Sequence, residues 1–234
     1  MSSKKNLVVF DIDGTLTDSV AVHQHCFRVA LQQFGVADVT MNFGTFKHHT
    51  DSFIAKEIIE HSTTTVFNTS EVAQFETFLM EELLKAESIP EIKGAKQIIE
   101  FLENETNYAI CYATGSLRRP AAYKLECIGI EFQDWQLVAS NQLYEREEIV
   151  AKAILNAQKQ YGLSQFDTVI SIGDGLWDLK TARNLGLEFI GMGTANKKRL
   201  EQNGSSINLD DFTQFNLPSI EKEFRFFDQS CDKH

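Results

Sequence analysis

Short apolar runs rich in β-formers recur at residues 7–10, 108–113, 136–139, 168–172 and 188–191, and helical patterning fills the segments between the last four. That alternation predicts a parallel sheet covered by helices, an α/β, Rossmann-like core. Several runs end in polar or glycine-containing turns: "DIDGT" after the first, "TGS" after the second and "GDGLWD" after the fourth. Ligands of open parallel sheets bind beyond the carboxyl ends of the strands, so segments far apart in sequence should meet there.

Between the first and second runs the pattern changes. No strand signal appears, but three helical faces do: Val22, Cys26, Val29, Ala30 and Phe34; Phe53, Ile54 and Ile58; and Val72, Phe75, Phe78, Leu79 and Leu83. A simple βαβ crossover needs far less chain. The expected organisation is a core built from residues 1–17 and 91–234, with an all-helical domain inserted over residues 18–90. Pro90 and Gly94 suit the return. The aromatic residues of the insert are read as packing, and the tail gives a helical signal only after Pro218.

A chain of 234 residues, 43% hydrophobic, supports one sizeable core plus an insert. The opening "MSSKKNLVVFDID" has too short an apolar stretch for a signal peptide, and no 18-residue apolar run follows, which predicts a soluble, cytoplasmic protein. Cys26, Cys111, Cys127 and Cys231 lack zinc-type spacing and are read as ordinary thiols of a reducing compartment. The net charge of −11 argues against nucleic acid or anionic membrane as partners; a small anionic substrate would need a local cationic site. No GxxxxGK[ST] loop is present.

The stretch "VVFDIDGTLTDS" carries the chemistry. In an extended chain Asp11 and Asp13 point to the same side, and two such anions require a metal ion or a proton to offset their repulsion. Asp174 and Asp178 follow the "TVISI" run. Magnesium prefers carboxylate oxygen in a shell that keeps several waters, so Asp11, Asp174 and the backbone carbonyl of Asp13 make a plausible Mg2+ site. Asp178 is either a further ligand, directly or through water, or a carboxylate favoured by a helix N-terminus. Thr114, Gly115 and Ser116 offer a hydroxyl and backbone N–H groups to phosphate oxygens, although ordinary turn chemistry explains them as well.

In order and spacing, "DIDGTLTDS", "YATGS" and "IGDGLWD" resemble the first, second and fourth motifs of the haloacid dehalogenase-like (HAD) hydrolase superfamily, and the insert resembles its helical cap. The resemblance implies a magnesium-dependent phosphatase acting on a small phosphorylated metabolite such as phosphoglycolate or a sugar phosphate. Asp11 would be the nucleophile that forms an aspartyl phosphate, Asp13 the acid and later the base, and Thr114 a phosphate-binding catalytic residue. The family's third motif is a lysine or arginine, usually near a lysine-proline segment. This sequence departs from that pattern: Arg146, before a helix starting near Glu147, is the candidate and Lys152 the alternative. In the cap, "FKHHTDS" places Lys47, His48 and His49 beside a Thr50/Asp51 helix cap, where Lys47 and His48 would contact substrate; a plain polar loop is the competing reading. His23 begins the first cap helix near the catalytic loop.

A phosphosugar mutase would reuse the same residues, with water access deciding the outcome. Asp13 disfavours a dehalogenase, and phosphonate hydrolysis would need Lys47 or Lys56, neither in a recognisable motif. A phospho-acceptor signalling module is far shorter than this chain. A non-catalytic binding protein would have little reason to keep Asp11, Asp13 and Asp174 together, because buried acids without a metal are costly.

Overall fold

The computed structural model describes residues 4–37 and 45–231. Six strands form one sheet: β1 (Asn6–Phe10), β2 (Tyr108–Ala113), β3 (Leu137–Val138), β4 (Val169–Gly173), β5 (Glu188–Met192) and β6 (Ile207–Leu209). Their order is β3-β2-β1-β4-β5-β6, every pair parallel, so the α/β expectation holds and β1 lies between β2 and β4. The register pairs Phe10 with both Tyr112 and Ile172. The ends of three strands thereby arrive at one edge.

Residues alternate between the two faces with the strand period of two. Val8, Phe10, Ile110, Tyr112, Ile170 and Ile172 pack against α4 (Ala95–Glu105), α5 (Arg118–Cys127) and α9 (Leu217–Cys231). On the other face Leu7, Val9, Ala109, Cys111 and Ala113 pack on Ile149, Val150, Ala153 and Ala157 of α6 (Arg146–Tyr161). Burying each Val, Ile or Leu contributes about 1.5–3 kcal/mol, which is why the strands read as continuous apolar runs. Helices α7 (Leu176–Asn184) and α8 (Lys197–Gln202) follow β4 and β5.

Helices α1 (Val20–Gln33), α2 (Asp51–Ser62) and α3 (Thr69–Leu83) occupy the stretch between β1 and α4 and share an apolar cluster of their own. Phe27 meets Phe75 edge-on at 4.9 Å, and Phe34 and Phe67 extend the group. The chain leaves and returns along paired linkers: Asp18 N–H donates to the Pro90 carbonyl at 2.9 Å, and Ile92 N–H to that of Leu16 at 2.8 Å.

Several boundaries differ from the sequence expectation. The run at 136–139 shrinks to a two-residue strand, and β6 carried too few residues to be read at all. On α1 and α2, Cys26, Ala30 and Ile54 are buried as expected, but Phe27, Leu31, Ala55 and Ile59 are buried beside them while Val29, Phe53 and Ile58 are only half-buried. Helix α6 begins at Arg146 itself, and α9 at Leu217. Cys26 and Cys111 are buried free thiols and Cys127 an exposed one; the Cys231 side chain lies outside the described residues. Among the described residues no helix is long and apolar enough to cross a membrane.

Candidate active site

The β1 ladder continues one residue past the strand, where Asp11 N–H donates to the Ile172 carbonyl at 2.9 Å. The chain then turns at Gly14, whose φ of +79° lies in the left-handed region; a Cβ there would stand 2.5 Å from an oxygen of Asp174. Glycine is required on both counts. The turn sets Asp11 opposite the loop after β4, so that one carboxylate oxygen each from Asp11, Asp174 and Asp178 lies within 4.8 Å of the others.

Arg146 is the cation among these acids. It is the first residue of α6, buried, and its Nη2 donates to Asp11 Oδ1 at 3.0 Å and to Asp178 Oδ1. Lys152 is exposed and lines a separate cavity with Arg118 and Asp134. Of the two candidates, the fold brings only Arg146 to the acids. Asp178 also caps α7, its Oδ2 accepting from Gly175 N–H at 3.1 Å. The helix-cap reading of this residue therefore holds, and the same carboxylate stands among the acids that could hold a metal ion.

Charge distribution separates the aspartates. Burial pushes the Asp11 carboxyl up to about 7 despite Arg146, and Asp178 and Asp13 add to the rise. Burial likewise raises Asp174 well above the usual range, reinforced by Asp178 and Asp11. Burial would raise Asp13 as well, but Lys124 and His23 outweigh it and hold that carboxyl at about 2. Two acids held high by burial and by neighbouring carboxylates, with donor atoms converging, suit a divalent cation. The residues therefore fit the expected Mg2+, with Asp11 and Asp174 facing each other. Asp178 is already engaged by Arg146 and Gly175. The Asp13 carboxylate is bound by Lys124 and Ser19 and does not belong to this cluster.

Lys124 was not singled out in the sequence. It is fully buried on α5; its Nζ donates to Asp13 Oδ1 and Oδ2 at 2.6 and 2.8 Å and to His23 Nδ1 at 2.9 Å, and it lies 3.4 Å from Ser116 Oγ. An ammonium can only donate, so His23 Nδ1 accepts and its Nε2–H donates to Asp51 Oδ1 at 2.9 Å. Ser19 completes the shell with a hydroxyl 2.5 Å from Asp13 Oδ1. The available signal was a lysine on the apolar face of a helix, between Ala121 and Leu125 and just after "TGS".

Thr114, Gly115 and Ser116 sit beyond β2, as the strand register requires. Thr114 Oγ1 accepts from Ser116 N–H at 3.0 Å, and the Gly115 carbonyl accepts from Asp51 N–H at 2.8 Å. A Cβ on Gly115 would stand 2.5 Å from the His49 carbonyl oxygen, so only glycine permits this approach. Asp51 Oδ2 accepts from Leu117 N–H at 3.0 Å, while Thr50 and Ser52 donate their hydroxyls to the Tyr144 and Ser140 carbonyls at 2.9 and 2.6 Å. Thr50 thus stands at the N-cap of α2 without capping it. These contacts hold the start of α2 over a cavity of about 260 Å³ lined by Asp11, Asp13, Asp174, His23, Thr114 and Arg146. Lys47 and His48 face a neighbouring cavity, whereas His49, Thr50 and Asp51 face this one.

With this geometry in hand, comparison with known proteins gives a consistent picture. A search of curated proteins returns no match. Among solved structures, a HAD hydrolase, family IA, variant 3 from Entamoeba histolytica HM-1:IMSS is 19% identical, with a TM-score of 0.70 over 92% of this chain and 97% of that one. A provisional beta-phosphoglucomutase from Bacteroides vulgatus is 17% identical, with a TM-score of 0.68 over 94% and 90%. A provisional phosphoglycolate phosphatase from Haemophilus somnus 129pt is 20% identical, with a TM-score of 0.61 over 91% and 96%. These likenesses establish a shared fold. The haloacid dehalogenase-like hydrolase family matches residues 8–192, most of the chain and all of the acidic cluster, and the protein belongs to that family.

Proposed function

We propose that this protein is a magnesium-dependent phosphatase of a small phosphorylated metabolite, working through an aspartyl phosphate on Asp11. The observation that carries this reading is the position of Asp11: a buried carboxylate beside Arg146, facing Asp174, with Asp13 two residues away and Thr114 and Ser116 on the adjoining strand end. An Asp11 oxygen attacks phosphorus, the ester P–O bond breaks, and the leaving oxygen takes a proton from Asp13. Water then attacks the acyl phosphate and gives its proton to Asp13, which frees inorganic phosphate and restores Asp11. Mg2+, held by Asp11, Asp174 and the Asp13 carbonyl, would neutralise the phosphoryl oxygens. Arg146 aligns Asp11 and binds the phosphoryl group, and the Thr114 hydroxyl holds one of its oxygens.

Lys124 and Ser19 keep Asp13 as the carboxylate that the second half-reaction needs. For the first half, Asp13 must carry a proton: it gives up Lys124, takes a proton from solvent and turns to the leaving oxygen, and the proton that water later returns to it readies the next turnover. Residues 18–90 serve as a cap whose α2 start closes the cleft, and the cytoplasm is the compartment that suits free thiols at Cys26 and Cys111. The test is inorganic phosphate release from a panel of small phosphate esters, with and without Mg2+. Metal-dependent release that disappears in Asp11→Asn is expected; turnover unaltered by that change would overturn the assignment.

A phosphosugar mutase is the second reading, favoured by the ties of Thr50, Asp51 and Ser52 that hold the start of α2 over the site. It predicts isomerised sugar phosphate with little phosphate released.

A further inference from the structure

A second cavity, of about 380 Å³, shares His49, Arg146, Trp177 and Asn196 with the catalytic one but contains none of its aspartates. Its remaining walls bring together three cationic side chains from three separate parts of the chain: Lys47 before α2, Lys180 on α7 and Arg199 on α8. None of the three forms an ion pair among the described residues. The cavity also carries two carboxylates, Glu145, 3.5 Å from His48 Nε2, and Glu147, which accepts from Asn184 Nδ2 at 2.7 Å, so its three cations without an ion pair exceed its acids by one. In a chain of net charge −11, these free cations beside Arg146 concentrate positive potential at one place. The rings of His49 and Trp177, stacked with centroids 4.6 Å apart, stand in the shared wall. A ligand reaching from one cavity to the other would run against that apolar face.

We propose that the 380 Å³ cavity is a second-anion subsite: the substrate carries, besides the phosphate monoester placed at Asp11, another anionic group held by Lys47, Lys180 and Arg199. This rests on the phosphatase reading and narrows it to two-headed anions, whose second group is a phosphate or a carboxylate. The His49–Trp177 pair borders the spacer between the two groups. A substrate with one anion would fill only the catalytic cavity and gain nothing from the three cations.

The test compares matched ligands: a hexose monophosphate, the corresponding hexose bisphosphate, and a phosphorylated sugar acid of the same length. Phosphate release with Mg2+ is measured for the wild type and for Lys180→Ala/Arg199→Ala, two exposed positions where loss of fold is readily checked by Tm. The expected result is a kcat/KM for at least one two-anion ligand about tenfold above that for the monophosphate, with the double variant losing most of the ratio through KM. The better of the two then identifies the second group. A ratio near one in the wild type, or one unchanged in the double variant, would overturn the subsite. The same ligands are titrated calorimetrically into Asp11→Asn with and without the double change. If no ester is hydrolysed by the wild type, the phosphatase reading fails, and this binding preference decides the subsite by itself: present and lost with the two cations, it stands; absent, it falls.

Discussion

Lys124 shows how much of this site depends on single charges. Its ammonium is fully buried, while the Asp13 carboxylate keeps partial contact with solvent. Lys124→Met preserves the length of the side chain but strands Asp13 and empties the Nδ1 side of His23. Breaking such a pair should cost about 3 kcal/mol, the low end for buried pairs because Asp13 can still reach water. Chemical denaturation would measure it. The Asp13 carboxyl, held at about 2 by Lys124 and His23 against the upward push of burial, should titrate higher in the variant. The acid limb of the kcat pH profile should accordingly move to higher pH; an unmoved limb would show that Asp13 is not the group titrating. None of this was legible in the sequence, because a lysine on an apolar helix face declares neither its burial nor its partner.

At the scale of elements, the start of α2 is the part most exposed to test. Hydrogen bonds tie Thr50, Asp51 and Ser52 to the loops after β2 and β3: Thr50 and Ser52 donate their hydroxyls, and Asp51 donates its N–H and accepts at its carboxylate. Because neutral hydrogen bonds of this kind contribute about 1 kcal/mol each, Thr50→Val with Ser52→Ala should leave a folded protein. Its KM should rise several-fold, as the α2 side of the cleft loses its anchor, and steady-state kinetics on the best ester of the panel would show whether kcat holds. Phe75→Ala is a different case. That ring touches Phe27, Phe34 and Phe67, so its loss should cost about 3–5 kcal/mol, seen as a lowered Tm. Periodicity located α1, α2 and α3 and the buried Cys26, Ala30 and Ile54, but not Phe27, Leu31, Ala55 and Ile59 beside them. A helix advances 100° per residue, and flanking aromatics blur the apolar stripe. Strand β3 falls inside the run read at 136–139 but keeps only two of its residues, and β6, with three, is too short for any pattern.

For the whole molecule, the acidic cluster should make stability depend on pH and metal together. The Asp11 carboxyl, pushed up to about 7 by burial against an ordinary value of 3.8, binds more protons folded than unfolded between those limits. Stability of the metal-free protein should therefore fall as pH rises from about 4 to about 7 and level off above; Asp174, also raised, acts in the same direction. Asp13 acts oppositely, but its contribution is complete above pH 4 and does not touch this window. Thermal melts should show Mg2+ raising Tm more at pH 8 than at pH 5, and Asp11→Asn flattening the metal-free curve. A Tm independent of both would argue against a cation among Asp11, Asp174 and Asp178.

The α/β class and five of the six strands follow from sequence alone, because strands buried on both faces must be apolar along their whole length. Asp11, Asp13, Asp174 and Asp178 are likewise visible as acids at the ends of such runs, where only a functional or capping role suits them. What the linear chain leaves open is which cation meets them. Arg146 and Lys152 are six residues apart, so they project about 240° from each other around α6, and only docking α6 on the sheet decides that Arg146 faces inward. Lys124 reaches Asp13 across 111 positions of sequence by the same cause. Strand identity is written in local apolarity, whereas the pairing of buried charges is set by how helices pack, and that exists only in the folded molecule.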